Sequence, residues 1–176
     1  MDSSERSKSG EGGERSLSGP RRRAREIALQ VLHQIDAGGE PRLDAAQAIA
    51  RYFDHFGAGA EAADEEGGAD SLLDSGGRPA RIDRPFLEEL VRGVSARRDE
   101  LDEILANLSR NWRLERIALV ERNVIRLALY ELKYVEPVPV NVVLNEAVEL
   151  AKRYGTAEGA AFVNGLLDRA VGELRR

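Results

Sequence analysis

An all-α fold is what the sequence predicts, on three observations. Apolar residues recur every third or fourth position in one segment after another. The apolar content is mostly Leu, Val, Ile and Ala, with aromatics at only 5%, which favours helices packing on helices. No segment alternates apolar and polar side chains as a half-buried strand does.

The chain, 176 residues long, opens with "MDSSERSKSGEGGERSLSGP", a stretch of Ser, Gly and charge. It cannot bury enough apolar surface to offset the entropy of ordering, so residues 1–20 are expected to form a disordered arm. It has no apolar h-region and is not a signal peptide. From Arg21 the character changes. "RRRAREIALQVLHQIDAGG" carries Ala24, Ile27, Ala28, Val31, Leu32 and Ile35 on one helical stripe and stops at Gly38-Gly39. "PRLDAAQAIARYFDHF" repeats the pattern through Leu43, Ala46, Ile49, Ala50 and Phe53.

"GAGAEAADEEGGADSLLDSGGRP", from Gly57 to Pro79, is rich in Gly and acid and has no sustained period. Being longer than ordinary loops of compact domains, it reads as a flexible acidic insertion over about 57–80. "DRPFLEELVRGVSARRDELDEILANLSRNW" is expected to form one helix, with Asp83 as N-cap and Pro85 in the first turn. Gly93 in its interior costs stability unless another backbone packs close. "RLERIALVERNVIRLALYELKYV" is apolar on more than one face and is expected at the centre of the bundle. Pro137 and Pro139 in "EPVPV" end it. A fifth helix, about "VNVVLNEAVELAKRY", is closed by Gly155 as a left-handed stop, and Thr156 caps a sixth, "AEGAAFVNGLLDRAVGEL".

Little in the chain asks for catalysis. Cysteine is absent, which removes disulfides and thiolate chemistry and suits a reducing cytoplasm. His33 and His55 have no partner at metal-ligand spacing, and no phosphate-binding loop or nucleophile elbow is present. Carboxylates sit beside Lys and Arg at helical spacings, as a solvated face does. No catalytic or metal residue is therefore expected, and no apolar run is long enough to span a membrane.

Two basic features stand out in a chain of net charge −5. "RRRARE" places cations in the first turns of a helix, where the helix end is already partly positive; a phosphate backbone would neutralise both. The plainer reading is a solubilising basic edge. "AKRYG" places Lys152, Arg153 and Tyr154 at a helix C-terminus, where cations are favourable anyway and the ring could cap the core. Equally, a ring with two cations can stack on a base and hold phosphates.

Taken together, "RRRAREIALQVLHQID", "FLEELVRGV", "NWRLERIALVERNVIRLALYEL", "VPVNVVLNEAVELAKRYG" and "FVNGLLD" resemble, in order and spacing, the NusB family of bacterial transcription antitermination factors. The resemblance covers about residues 21–174 apart from the insertion. It implies an all-helical fold of about six or seven helices in two packed subdomains, without enzymatic activity or cofactor. The implied ligand is boxA RNA of nascent ribosomal RNA transcripts. It is bound with NusE, a small-subunit ribosomal protein, in an RNA polymerase antitermination complex with other Nus factors.

Carried onto this sequence, Arg21, Arg22, Arg23 and Arg25 match the family's basic N-terminal motif and are the expected RNA contacts. Lys152, Tyr154 and Phe162 match the second region, and Arg110, in "NLSRNW", joins them. Glu121 and Glu115 are expected on the NusE surface, where acidic side chains suit a basic ribosomal protein, although Glu121 could instead pair with an Arg inside the chain. The acidic insertion departs from the family's common core. So do Ala160 and Ala161, which stand where polar or basic residues often help hold RNA. Two other readings stay open: a non-catalytic protein-binding bundle, and a module serving a ribosomal RNA methyltransferase on another chain. The oligomeric state, including a homodimer that masks the RNA surface, is open as well.

Overall fold

Every helix predicted from periodicity forms, and one of them divides. In a computed structural model that describes residues 19–39, 42–57, 81–109, 113–136 and 138–174, the elements are α1 (Pro20–Ala37), α2 (Ala45–Gly57), α3 (Arg84–Ala96), α4 (Arg98–Leu108), α5 (Leu119–Tyr134), α6 (Val140–Tyr154) and α7 (Gly159–Leu174). A short 3₁₀ turn, Leu114–Arg116, precedes α5. Residues 1–18 of the expected N-terminal arm, most of the acidic insertion and Arg110 lie outside the described residues, whereas Pro20, counted with the arm, is the first residue of α1. Gly57 is the last residue of α2, so the insertion begins one residue later than its composition suggested.

The expected third helix is two. Arg97, at φ −113° and ψ 22°, leaves the helical region and separates α3 from α4. Asp83 caps α3 as expected, accepting a hydrogen bond from the Phe86 N–H at 3.1 Å, with Pro85 in the first turn. The central helix is also shorter than predicted, because Arg113 to Ala118 turn and extend before α5 begins. In α2 the buried face is Ala45, Ala48, Ile49 and Tyr52, while Ala46 and Ala50 are exposed. Tyr52 decides the difference: its large ring goes inward and rotates the helix away from the purely aliphatic stripe.

α1, α2 and α3 pack as one group and α4 to α7 as a second, joined where α5 meets α1 and α3. One apolar core runs through both groups. Its axis is α5, buried continuously from Asn123 to Glu131. Gly93 faces the Tyr130 ring: a Cβ there would stand 2.0 Å from Tyr130 Cζ. The close neighbour that requires glycine is therefore an aromatic ring rather than a second backbone.

Buried ions fasten the two groups. Arg126, almost fully enclosed, donates to Asp36 of α1 at 2.8 Å, to Asp102 of α4 at 2.6 Å and to the Asn123 side-chain oxygen at 2.8 Å. Arg98 pairs with the other oxygen of Asp36. Arg25 donates two hydrogen bonds to Glu131, at 2.8 and 2.7 Å, with both side chains buried. Fixed in this way, α1 holds its first turns against α5 and presents their outer face along α6.

Candidate nucleic-acid interface

The four arginines that open α1 have two fates. A helix turns about 100° per residue, so the run cannot face one way. Arg21 is exposed, with its guanidinium 4.9 Å from the centre of the Phe86 ring and Nε 3.3 Å from Asp83. Arg22 is partly exposed and forks onto Glu146 of α6, with Nε–O distances of 3.1 and 3.0 Å and a third contact at 2.7 Å. That carboxylate holds the Arg22 guanidinium above its usual pKa, against the opposing effect of burial.

Arg23 and Arg25, expected among the RNA contacts, are only 7% and 4% exposed. Arg23 bonds Glu26 at 3.0 Å, and Arg25 is committed to Glu131. Reaching a phosphate would mean breaking buried ion pairs. Their place is in holding α1, which corrects the expectation drawn from the run of arginines.

The end of α6 lies beside this edge. Arg153 crosses to Glu26 at 2.9 Å, and its guanidinium sits 5.3 Å from the centre of the Tyr154 ring. Lys152 is exposed and bonds Glu149 at 2.8 Å, which draws the Glu149 carboxyl below its usual range. Two bridges, Arg22–Glu146 and Glu26–Arg153, thus span a cleft of about 230 Å³ between α1 and α6, lined also by Glu149, Leu150 and Lys152. Beyond it, the half-buried Tyr154 closes a second slot of about 270 Å³ against Leu29, Gln30, His33, Gln34 and Val120. A row of cations therefore leads to an aromatic wall.

Glu121, expected on a partner surface, is 3% exposed and points inward. Its Oε1 accepts from the Thr156 N–H at 2.7 Å and from the Thr156 hydroxyl at 2.8 Å. Burial pushes the carboxyl pKa up, yet the two bonds from Thr156 outweigh it and leave it below the usual range. The neighbouring glycines make room: a Cβ at Gly159 would meet Oε1 at 2.3 Å and one at Gly155 at 2.9 Å. Gly155 is extended, at φ −93° and ψ −168°, so the expected left-handed stop is replaced by a close approach to this carboxylate. Thr156 donates its hydroxyl to Glu121, and its carbonyl accepts the N–H of Gly159, where α7 begins. The outcome is a fixed α6–α7 turn.

Phe162 is half-buried on α7, packed against the core. Glu115 is exposed on the 3₁₀ turn. Arg110 lies outside the described residues. Glu146 went unnoticed in the sequence because it is distant in the chain from Arg22, and so did the bond from Arg153 to Glu26, although Glu26 also lies within a turn of Arg23. His33 is weighed in the sequence only as a metal ligand, and nothing local in α1 shows that Tyr154 will face it together with Gln30 and Gln34.

The NusB family model matches residues 22–171. The transcription antitermination protein NusB of Desulforudis audaxviator (strain MP104C) is 42% identical over 153 residues, covering 87% of this chain and 94% of that protein. Its namesake in Myxococcus xanthus (strain DK1622) is 39% identical over 158 residues, covering 90% and 99%. Among solved structures, T. maritima NusB superposes with a TM-score of 0.64 at 30% identity, over 86% of this chain and 89% of that one. A complex of antitermination factors NusB and NusE with double-stranded RNA contains a chain of the same fold, with a TM-score of 0.61 at 23% identity, over 85% and 93%.

Proposed function

The chain belongs to the NusB family, and from that membership we propose that it is a transcription antitermination factor. It binds boxA RNA of nascent ribosomal RNA transcripts together with NusE, within an RNA polymerase antitermination complex that includes other Nus factors. It acts by binding rather than catalysis, and it works in the cytoplasm with the RNA being made. The observation that carries the reading is the α1–α6 cleft, whose lining residues all fall inside the matched 22–171.

Arg21, Arg22 and Lys152 are the phosphate contacts in this account, with Tyr154 and Phe162 as ring contacts. Arg23 and Arg25 hold the helix that presents them, and Glu115 is the exposed carboxylate offered to NusE. Phosphate competes with Glu146 and Glu149 for the same guanidinium and ammonium groups, so these internal pairs tune affinity.

Fluorescence-anisotropy titration of boxA RNA against a scrambled control, with and without the cognate NusE, tests the proposal. Selective binding that tightens with NusE is expected. The self-neutralised cations are what a protein-binding bundle without RNA recognition would also show. Equal, weak binding of both RNAs with NusE present would favour that alternative.

A further inference from the structure

We propose that a cleft at the far end of α1, where the two helical groups meet, takes a small organic oxyanion: a phosphate or carboxylate joined to an apolar body. This site lies beyond the RNA-binding reading and does not depend on it.

The cleft holds about 420 Å³. The ends of α1 and α3 and the start of α2 line one side, and Arg98 of α4 with Asn123 and Arg126 of α5 line the other. Small-molecule sites have volumes of this order and favour such junctions. Asp36, on its wall, stands about 21 Å along α1 from Arg22, at 1.5 Å per residue. An anion held here is therefore separate from any phosphate at the α1–α6 edge.

Asn123 is 1% exposed, and its Nδ2 finds no acceptor among the described residues. Turning the amide round cannot cure this, because its oxygen accepts from Arg126, which can only donate. A buried donor left unbonded costs stability, and a ligand oxygen in the cleft would satisfy it.

The surrounding charge favours an anion. Arg92 reaches Glu88 only at 4.0 Å, and Arg98 stands 4.0 Å from Asp102 while pairing with Asp36. Arg126 is taken up by Asp36, Asp102 and Asn123, and so contributes charge rather than a new bond. Asp36 would oppose an anion, but Arg98 and Arg126 cover its two oxygens. Arg42 and Asp44, both exposed, balance in charge. Leu32, Ile35, Leu43 and Val94 supply the apolar wall, which bare phosphate would leave unused.

The test is an NMR titration of the isotope-labelled full chain with phenyl phosphate and with benzoate. Inorganic phosphate and phenol, each half of a probe, are the controls, and Arg92→Ala and Asn123→Asp are the variants. Arg92 is exposed, and Asn123→Asp keeps an oxygen for Arg126 while replacing the amide donor with an acceptor. Melting curves confirm that both fold. At least one anionic probe should shift the Asn123 side-chain amide and bind more tightly than either half; which probe does so identifies the oxyanion. Each variant should weaken that binding about tenfold or more, the scale of a hydrogen bond to a charged group. Binding that neither variant weakens, or that leaves the Asn123 amide unmoved, places the anion elsewhere and overturns the site. Failure of both probes to bind the natural protein overturns it as well, leaving a cleft that holds solvent only.

Discussion

Arg22 and Arg25 stand three places apart on one side of α1, and both approach Glu146, but only Arg25 is enclosed; Arg22 stays part-exposed. Arg25 is enclosed with Glu131, and truncating it would leave a buried carboxylate without its partner. Arg25→Ala should cost about 3–5 kcal/mol in urea denaturation. Arg21→Ala should change stability by no more than about 0.5 kcal/mol while weakening RNA binding several-fold. Glu121 makes the residue-scale argument a second time, now with pH. Its folded pKa is depressed, so its contribution is complete above the unfolded value, about 4.3 for Glu, and is lost as pH falls through the lower folded value. Glu121→Gln should therefore be less stable at neutral pH and show a shallower acid loss, read from melting temperature against pH. An acid limb identical to that of the natural protein would remove Glu121 from the α6–α7 turn.

At the scale of elements, apolar period and caps carried most of the fold. Asp83, Pro85 and the stripes of α1, α5 and α6 were legible because each depends on residues within a turn or two. What escaped depends on distant partners. The break at Arg97 has no Pro or Gly to announce it, and the rotation of α2 is set by where Tyr52 packs. The candidate site divides in the same way. Which side chain types gather at the ends of α1 and α6 could be read from sequence. Which of them are consumed by Glu26, Glu131, Glu146 and Thr156 could not. Gly93 offers a check on helix packing, since its predicted cost to α3 is offset by Tyr130 of α5. Gly93→Ala gains helix propensity but must displace a buried ring, and a net loss of about 1–3 kcal/mol in thermal denaturation is expected. A neutral or stabilising effect would mean that Tyr130 yields freely.

For the whole molecule, the question is how a chain of net charge −5 holds an RNA. Acidic side chains lower affinity for nucleic acid everywhere, so selective binding needs the cations concentrated at one edge. We propose that the acidic insertion contributes by screening non-specific RNA. Replacing residues 58–80 with a short Gly-Ser linker should raise affinity for random RNA more than for boxA, with the melting temperature little changed. Equal affinities for random RNA would leave the segment a spacer. The measurement that bears most directly on the central claim is the salt dependence of boxA binding with NusE, for the natural protein and for a variant with Arg21, Arg22 and Lys152 changed to Ala. Each single-strand phosphate that a cation neutralises contributes about 0.7 to the slope of log affinity against log salt. A variant slope shallower by about 0.7 for each phosphate left unneutralised, together with weaker binding at low salt, is the predicted result. Unchanged slope and affinity in a folded variant would contradict the assignment of the RNA to the α1–α6 edge.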